Sequence, residues 1–556
     1  MSASPKEPDK SLPRREADPS PAGPAPARPW LILFTLCPGF FMILLDTTIV
    51  NVAIPDLSAE LPASLDQILW VLNAYVLVYA GLLITSGRLG DLYGPKRLFI
   101  SGLLVFTLAS ILCGLAQNPT QLIGARALQG AGGALLTPQT VAVLTIVFPP
   151  ARRGAAFGVW GAVAGLATIA GPALGGLVVT TWGWRWIFLI NLPVGVFAVI
   201  MASLVLPDLR VERRHRLDLT GTFLATSGLF LVIFGLIEGP SHGWGAIGPV
   251  SIPLVIGAGV LLLAGFGRHQ YRRRDSEPLV PLAIFRNRNF AMMNLVTAAL
   301  GVSTLGLFLP LMIYLQSALG WSALEAGLTI APMSVVAMVL APIAGRLADR
   351  VDGKYPLLAG LFLLTTGMVV LLLSSRVDST QASLLPGIVL TGAGLGLTFA
   401  PMQAIAMRTI EPAMAGAAAG LINTTRQVGA MVGSAAVGAL LQAQLARTVP
   451  AAGSFELGFT NAMRITLVLP TVVIGLAGLA VLAVQPGPRS PTTDQDQDDQ
   501  GSTARSVSRT NTSGRGQEPT RWRAGRYSTA SVTRSSSTSA CQGTMTISPA
   551  PGDIDT

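Results

Sequence analysis

Between Trp30 and Gln485 the chain alternates long apolar runs with short polar joints, and the length of those runs dictates its fold class. The first run, Trp30 to Ile54, is 25 residues long. A helix rises 1.5 Å per residue, so roughly 20 residues cross the hydrocarbon core of a bilayer. A signal-peptide core is shorter than this run, which is therefore expected to span. The same ruler gives fourteen spans, at approximately 30–54, 68–87, 98–116, 121–147, 155–180, 186–206, 219–239, 248–267, 290–316, 325–345, 356–374, 384–407, 414–445 and 461–485. Residues 30–485 hold 42 charges in 456 residues, where a soluble domain carries roughly 25% charged residues. So few charges cannot hydrate the surface of a soluble fold that large. Cys37, Cys113 and Cys541 are odd in number and lack paired or metal-ligand spacing, which excludes a disulfide scaffold. The expected class is an all-α polytopic membrane protein.

Lys and Arg in short loops set orientation. With the N-terminus inside, the inner loops carry 19 basic residues, including Arg152, Arg153, Arg210, Arg213, Arg214, Arg216 and Arg274. The outer loops carry three, Arg185, Arg376 and Arg447. One missed span would invert every later loop, so this asymmetry supports fourteen spans with both termini cytoplasmic. It also accounts for the basic pI near 10.1 without nucleic acid. Residues 1–29 and 486–556 are polar and of low complexity, and are expected to be disordered cytoplasmic tails.

An internal repeat organises the rest. Pro150-Ala-Arg-Arg-Gly154-Ala-Ala-Phe-Gly158 matches Pro412-Ala-Met-Ala-Gly416-Ala-Ala-Ala-Gly420 at an offset of 262, which also maps Gly130 and Gly132 onto Gly392 and Gly394. Gly87-Arg-Leu-Gly-Asp91 matches Gly345-Arg-Leu-Ala-Asp349 at an offset of 258, with Lys96 on Lys354. The expected architecture is a six-helix half at 30–206, two inserted helices at 207–289, and a second six-helix half at 290–485. Parallel halves of this kind are a transporter design, with the substrate between them.

Polar groups at lipid depth are costly and mark function by default. Asp46 lies about eight residues inside the outer end of span 1, and Arg126 about five inside the outer end of span 4. Depths of roughly 12 and 8 Å fall within an arginine's reach of each other. Desolvation favours the neutral acid and the guanidinium favours the carboxylate, so the pair is a candidate proton switch; a structural ion pair is the alternative. Arg426, near the middle of span 13, lines the substrate path or neutralises a partner from the other half. Asn51, Gln129 and Asn423 are further candidates for that path. Glu238 and Glu325 fall near outer helix ends and read as solvated rim. His215, His242 and His269 fall in loops or at helix ends and give no support to a histidine relay.

Gly87-Arg88-Leu-Gly90-Asp91-Leu-Tyr-Gly94-Pro-Lys-Arg97 reads as a tight inner loop between spans 2 and 3. Asp91 can accept bonds from a helix N-terminus, while Arg88 and Arg97 can pair with acids. In span 5, Gly165 to Gly176 favours close packing, and Pro172, after Gly171, removes a helical hydrogen bond.

These segments resemble the Major Facilitator Superfamily, specifically its fourteen-helix drug:proton antiporter branch. Leu45 to Pro55 is similar to that branch's helix 1 signature, Gly87 to Arg97 to the helix 2–3 motif, Leu122 to Gly130 to the helix 4 arginine motif, and Gly165 to Gly176 to the helix 5 antiporter motif. Trp184 to Pro193 and Asn423 to Gly429 also resemble the branch. The resemblance implies export of an amphipathic drug or antibiotic across the cell membrane, driven by a proton gradient with no cofactor, by a protein expected to be monomeric. It implies Asp46 as proton carrier, Arg126 as its partner, Asp91 with Arg97 as a latch between halves, and Gly171-Pro172 as the antiport-type bend. Asp349 repeats Asp91, but Asp352 replaces Gly94 in the second copy, so that latch is expected to be imperfect. The alternative is a proton-coupled exporter of one endogenous metabolite or siderophore. No phosphate-binding loop, zinc motif or nucleophile elbow supports an ATP-driven pump or membrane enzyme.

Overall fold

Helices begin here where a capping side chain or a proline meets an apolar run. Ser64 accepts from the Gln67 N–H, while the Gln67 side chain returns a bond to the Ser64 N–H. Ser322 with Glu325 repeats this capping box, and Asn118 caps through the Gln121 N–H. Pro29, Pro95 and Pro119 occupy first helical positions, where their missing N–H has no helical partner to lose.

The computed structural model describes residues 28–61, 63–209, 218–273, 278–280, 282–452 and 454–484. The arm and tail expected at 1–29 and 486–556 lie outside these residues except for Arg28 and Pro29, as do Arg210, Arg213, Arg214, Arg216, His215 and Arg274. The fourteen spanning helices among the described residues are α1 (Pro29–Val52), α2 (Asp66–Tyr93), α3 (Pro95–Leu115), α4 (Pro119–Val147), α5 (Pro150–Trp182), α6 (Trp186–Val205) and α7 (Leu219–Glu238), followed by α8 (Ile252–Arg272), α9 (Arg288–Ala318), α10 (Leu324–Arg350), α11 (Lys354–Ser374), α12 (Gln381–Met407), α13 (Pro412–Ala451) and α14 (Phe455–Leu482). A two-residue antiparallel ladder, Ala246–Ile247 with Val250–Ser251, joins α7 to α8.

One boundary differs in a way that matters. Helix α2 continues to Tyr93, so Gly87, Arg88, Gly90 and Asp91 are helical, and the turn is confined to Gly94 at φ +90°. Hydropathy stops at Arg88, but the helix continues because its last turns pack against the other half. The bundle end bearing this turn is called the Gly94 end below.

The repeat is visible as duplicated contacts. A Cβ on Gly130 would sit 2.4 Å from the Tyr75 carbonyl oxygen, and one on Gly392 2.4 Å from that of Met333, so α2–α4 and α10–α12 cross with the same closeness. Lys96 Nζ donates to the carbonyls of Ser203 and Leu206 at the end of α6, and Lys354 Nζ to those of Leu482 and Val484 at the end of α14. A lysine at a helix C-terminus satisfies orphan carbonyls and the dipole together. The halves meet chiefly through α5 against α10 and α2 against α13.

The inserted pair packs on the outside of α2: Phe230 of α7 lies against Gly81, and Thr226 shares a hydrogen bond with Thr85. Asp218 caps α7 through the Gly221 N–H and also accepts from His269 and Gln270 of α8 and from Arg273 just beyond it. Burial opposes its charge, but these bonds hold its carboxyl below the usual carboxylate range.

Candidate functional site

Arg126 and Gln129 are three residues apart on α4, hence on one face. That face meets Asp46 of α1. The Arg126 guanidinium forms an ion pair with Asp46 Oδ2, donates to Gln129 Oε1 at 2.7 Å, and donates through Nε to the Val71 carbonyl at 3.1 Å. Gln129 Nε2 donates to Asp46 Oδ1 and to Ser110 Oγ, both at 2.9 Å, and Asn191 of α6 donates to Ser110 at 3.0 Å. Asp46 and Gln129 are 0% exposed and Arg126 1%. The Tyr75 ring lies 4.5 Å from the guanidinium carbon, in cation–π range. A carboxylate and a guanidinium sealed from water remain charged only through such mutual satisfaction.

Tyr75 also links this network to a cavity of about 430 Å³ between the halves. Its walls come from α1, α2 and α5 on one side and α9, α10, α12 and α13 on the other, and include Thr47, Tyr79, Phe308, Phe399, Arg426 and Gln427. Toward the Gly94 end lies an aromatic layer in which Trp160 of α5 stacks on Phe40 of α1, with centroids 4.1 Å apart, and meets Phe399 of α12 at 5.3 Å.

At the Gly94 end the halves are joined twice over. Asp91 accepts from the N–H groups of Gly416 and Ala417 at 2.8 and 2.9 Å, and Asp349 from those of Gly154 and Ala155 at 2.8 and 2.7 Å. Each aspartate thus caps the first helical turn of the opposite half, where free amides and the helix dipole attract an anion. Gly87 and Gly345 are required by the crossing: an added Cβ would lie 2.2 Å from the Gly416 oxygen and 2.1 Å from the Gly154 oxygen.

The sequence profile described as Major Facilitator Superfamily matches residues 36–434. The chain belongs to that superfamily. The probable actinorhodin transporter of Streptomyces coelicolor is 38% identical over 433 residues, 76% of this chain and 74% of that protein. The tetracenomycin C resistance and export protein of Streptomyces glaucescens is 33% identical over 432 residues, covering 78% and 79% respectively. The crystal structure of the human organic anion transporter MFSD10 (TETRAN) aligns with a TM-score of 0.55 over 80% of this chain and 99% of that one, at 13% identity, a likeness of fold alone. The protein is a multi-pass Major Facilitator Superfamily transporter with the fourteen spans expected, and its relatives carry the names of antibiotic exporters.

Asp46 with Arg126, and Asp91 with its copy Asp349, stand in the contacts described. Gln129, expected on the substrate path, is enclosed in the ion-pair network, and Asn51 is exposed with its amide on the Thr47 carbonyl. Asn423 is buried on the Ala419 carbonyl, and Arg426 lines the cavity. Arg88 is buried, whereas Arg97 is exposed and makes no ion pair with Asp91. The second copy of the latch is complete despite Asp352, because the contact is made by Asp349 three residues earlier, while Asp352 lies 3.6 Å from Arg408. Gly171 abuts α1, where a Cβ would lie 1.9 Å from Thr48 Oγ1, and Pro172 sits inside an unbroken α5. Glu238 is buried beside His242 at 3.2 Å, not on the rim, because the α7–α8 turn folds back over it; Glu325 is exposed.

Sequence reasoning missed Arg153, counted only as a loop charge. It is buried and donates to the carbonyls of Thr145, Phe148 and, across the halves, Met407. It also missed Ser110, Asn191 and Tyr75. The three-residue spacing of Arg126 and Gln129 could have signalled their shared network.

Proposed function

We propose that the protein is a proton-driven exporter of amphipathic small molecules, a drug or antibiotic:proton antiporter of the cell membrane with both termini cytoplasmic. It works by alternating access between halves at 30–206 and 290–485, as a monomer without a cofactor. The observation that carries this reading is the enclosure of Asp46. A carboxylate with no exposed surface exchanges a proton only when the wall holding it moves, so its protonation and the conformation of the halves are linked. Neutralising Asp46 releases Arg126 and Gln129, and Tyr75 carries that change to the cavity wall.

The positive-inside asymmetry assigns the Gly94 end to the cytoplasm. On that orientation, with both aspartates engaged there, we read this arrangement as the state closed to the cytoplasm. Uptake of cargo requires both caps to release, and proton binding from outside followed by discharge inside drives the return. The names of the actinorhodin and tetracenomycin relatives support an antibiotic as cargo.

The test is transport in proteoliposomes under an imposed pH gradient with a panel of antibiotics and dyes. Gradient-dependent transport is expected in the natural protein and its loss in Asp46→Asn. Gradient-driven transport that persists in Asp46→Asn would falsify the proton role.

A further inference from the structure

Two arginines on the spanning helices around the cavity, Arg126 and Arg426, differ in one respect. Arg126 has a carboxylate, an amide oxygen and a carbonyl for partners. Arg426 has none: among the described residues its side chain makes no ion pair and no hydrogen bond, although it is only partly exposed and projects from a spanning helix. Of the described residues that line the cavity, it alone is charged. Asp46 does not offset it, because that carboxylate lies behind the wall, 0% exposed and already paired with Arg126.

A cation facing a cavity of low polarity without a counter-charge is unfavourable unless a ligand supplies one. Guanidinium presents a planar fork of donors that matches a carboxylate or similar oxyanion. The same cavity is lined by Tyr75, Tyr79, Phe308 and Phe399, flat surfaces suited to rings, and the volume of about 430 Å³ is that of a small-molecule site. We propose that this cavity selects aromatic organic anions, with Arg426 binding the carboxylate, phenolate or sulfonate and the aromatic walls holding the ring system. The proposal rests on the export reading and names the substrate class of that same site.

A consequence follows for energy coupling. A monoanion leaving while one proton enters moves two charges in the same electrical sense, a neutral cargo moves one, and a monovalent cation moves none. A potential negative inside therefore accelerates export of an anion most.

Three pyrene probes of nearly equal shape test the charge preference: 1-pyrenecarboxylate, 1-pyrenemethanol and 1-pyrenemethylammonium. Binding is read by fluorescence anisotropy on the detergent-purified full chain at neutral pH. In the natural protein the carboxylate is expected to bind about tenfold or more tighter than the alcohol or the ammonium, the gain of one charged hydrogen-bonded contact. Arg426→Gln should bring the carboxylate-to-alcohol ratio close to one, and Arg426→Lys should keep part of it, since the charge remains and the fork is lost. Equal or tighter binding of the ammonium in the natural protein, or a carboxylate preference that survives Arg426→Gln, overturns the proposal. If Arg426→Gln does not fold, the ratio in Arg426→Lys decides, an undiminished preference counting against Arg426. Transport of the same probes in liposomes separates the two readings. Absence of gradient-driven transport with the binding preference intact defeats the export reading and upholds the anion site. Gradient-driven transport with no charge preference does the reverse.

Discussion

Asp349 stands to Gly154 as Asp91 stands to Gly416: each carboxylate bridges the first free amides of a helix in the other half, and the four bonds lie between 2.7 and 2.9 Å. The halves are thus joined at this end by two copies of one contact related by the internal repeat, beside the tie from Arg153 to the Met407 carbonyl. Neither copy is a salt bridge, so the interaction depends on helix ends staying in register rather than on a basic side chain finding its partner.

Replacing either aspartate by alanine should loosen the Gly94 end, and replacing both should loosen it further. A charge at a helix N-terminus contributes about 0.3–1 kcal/mol, and more when partly buried. Spin labels at the exposed positions Tyr93 and Glu411, in a background without native cysteines, would report the separation. A single short distance is expected for the natural sequence, with growing longer populations in the variants. Identical distributions in all four proteins would refute the paired latch.

Gly87→Ala and Gly345→Ala should open the same end without altering any charge. The added methyl would meet a backbone oxygen at 2.2 or 2.1 Å, and backbone cannot swing aside as a flexible side chain can. Both variants should therefore show the longer label distances and reduced transport. Normal transport in either would mean that the crossing has slack that the structure does not show.

Arg126→Leu should destabilise the fold, because it leaves Asp46 buried without a counter-charge. Breaking a buried pair costs about 3–5 kcal/mol, whereas replacing both members by apolar residues is often neutral. Thermal unfolding in detergent should place Asp46→Leu/Arg126→Leu above Arg126→Leu alone. Additive losses in the double variant would show that the two side chains are not energetically coupled.

Asp218 supplies a pH test outside the membrane. Its carboxyl lies below the usual range when folded, so unfolding takes up protons as the medium turns acidic. The stabilisation is complete above the unfolded value, about 3.9, and is lost as pH falls through the lower folded value. The gap in melting temperature between the natural protein and Asp218→Asn should be constant near neutrality and shrink below that range. A gap that widens on acidification has the wrong sign for this network.

Much of the fold and part of the site could be read along the chain. Run length counted the spans, loop charge carries the orientation proposed for them, and two offsets paired α2 with α10 and α5 with α13. Depth alone placed Asp46 within reach of Arg126. These are one-dimensional properties, set by how far a residue lies from the end of its own helix. Which side chains share a face across two helices depends on the rotation of each about its axis, and packing decides that. Gln129 therefore went into the ion-pair network and not the cavity, Arg153 turned from a loop charge into a tie to Met407, and Glu238 was covered by its own turn. The repeat predicted that Asp349 copies Asp91, but only the packed bundle could direct each aspartate to the opposite half, because two parallel repeats about one axis place the end of α2 beside the start of α13 and the end of α10 beside the start of α5.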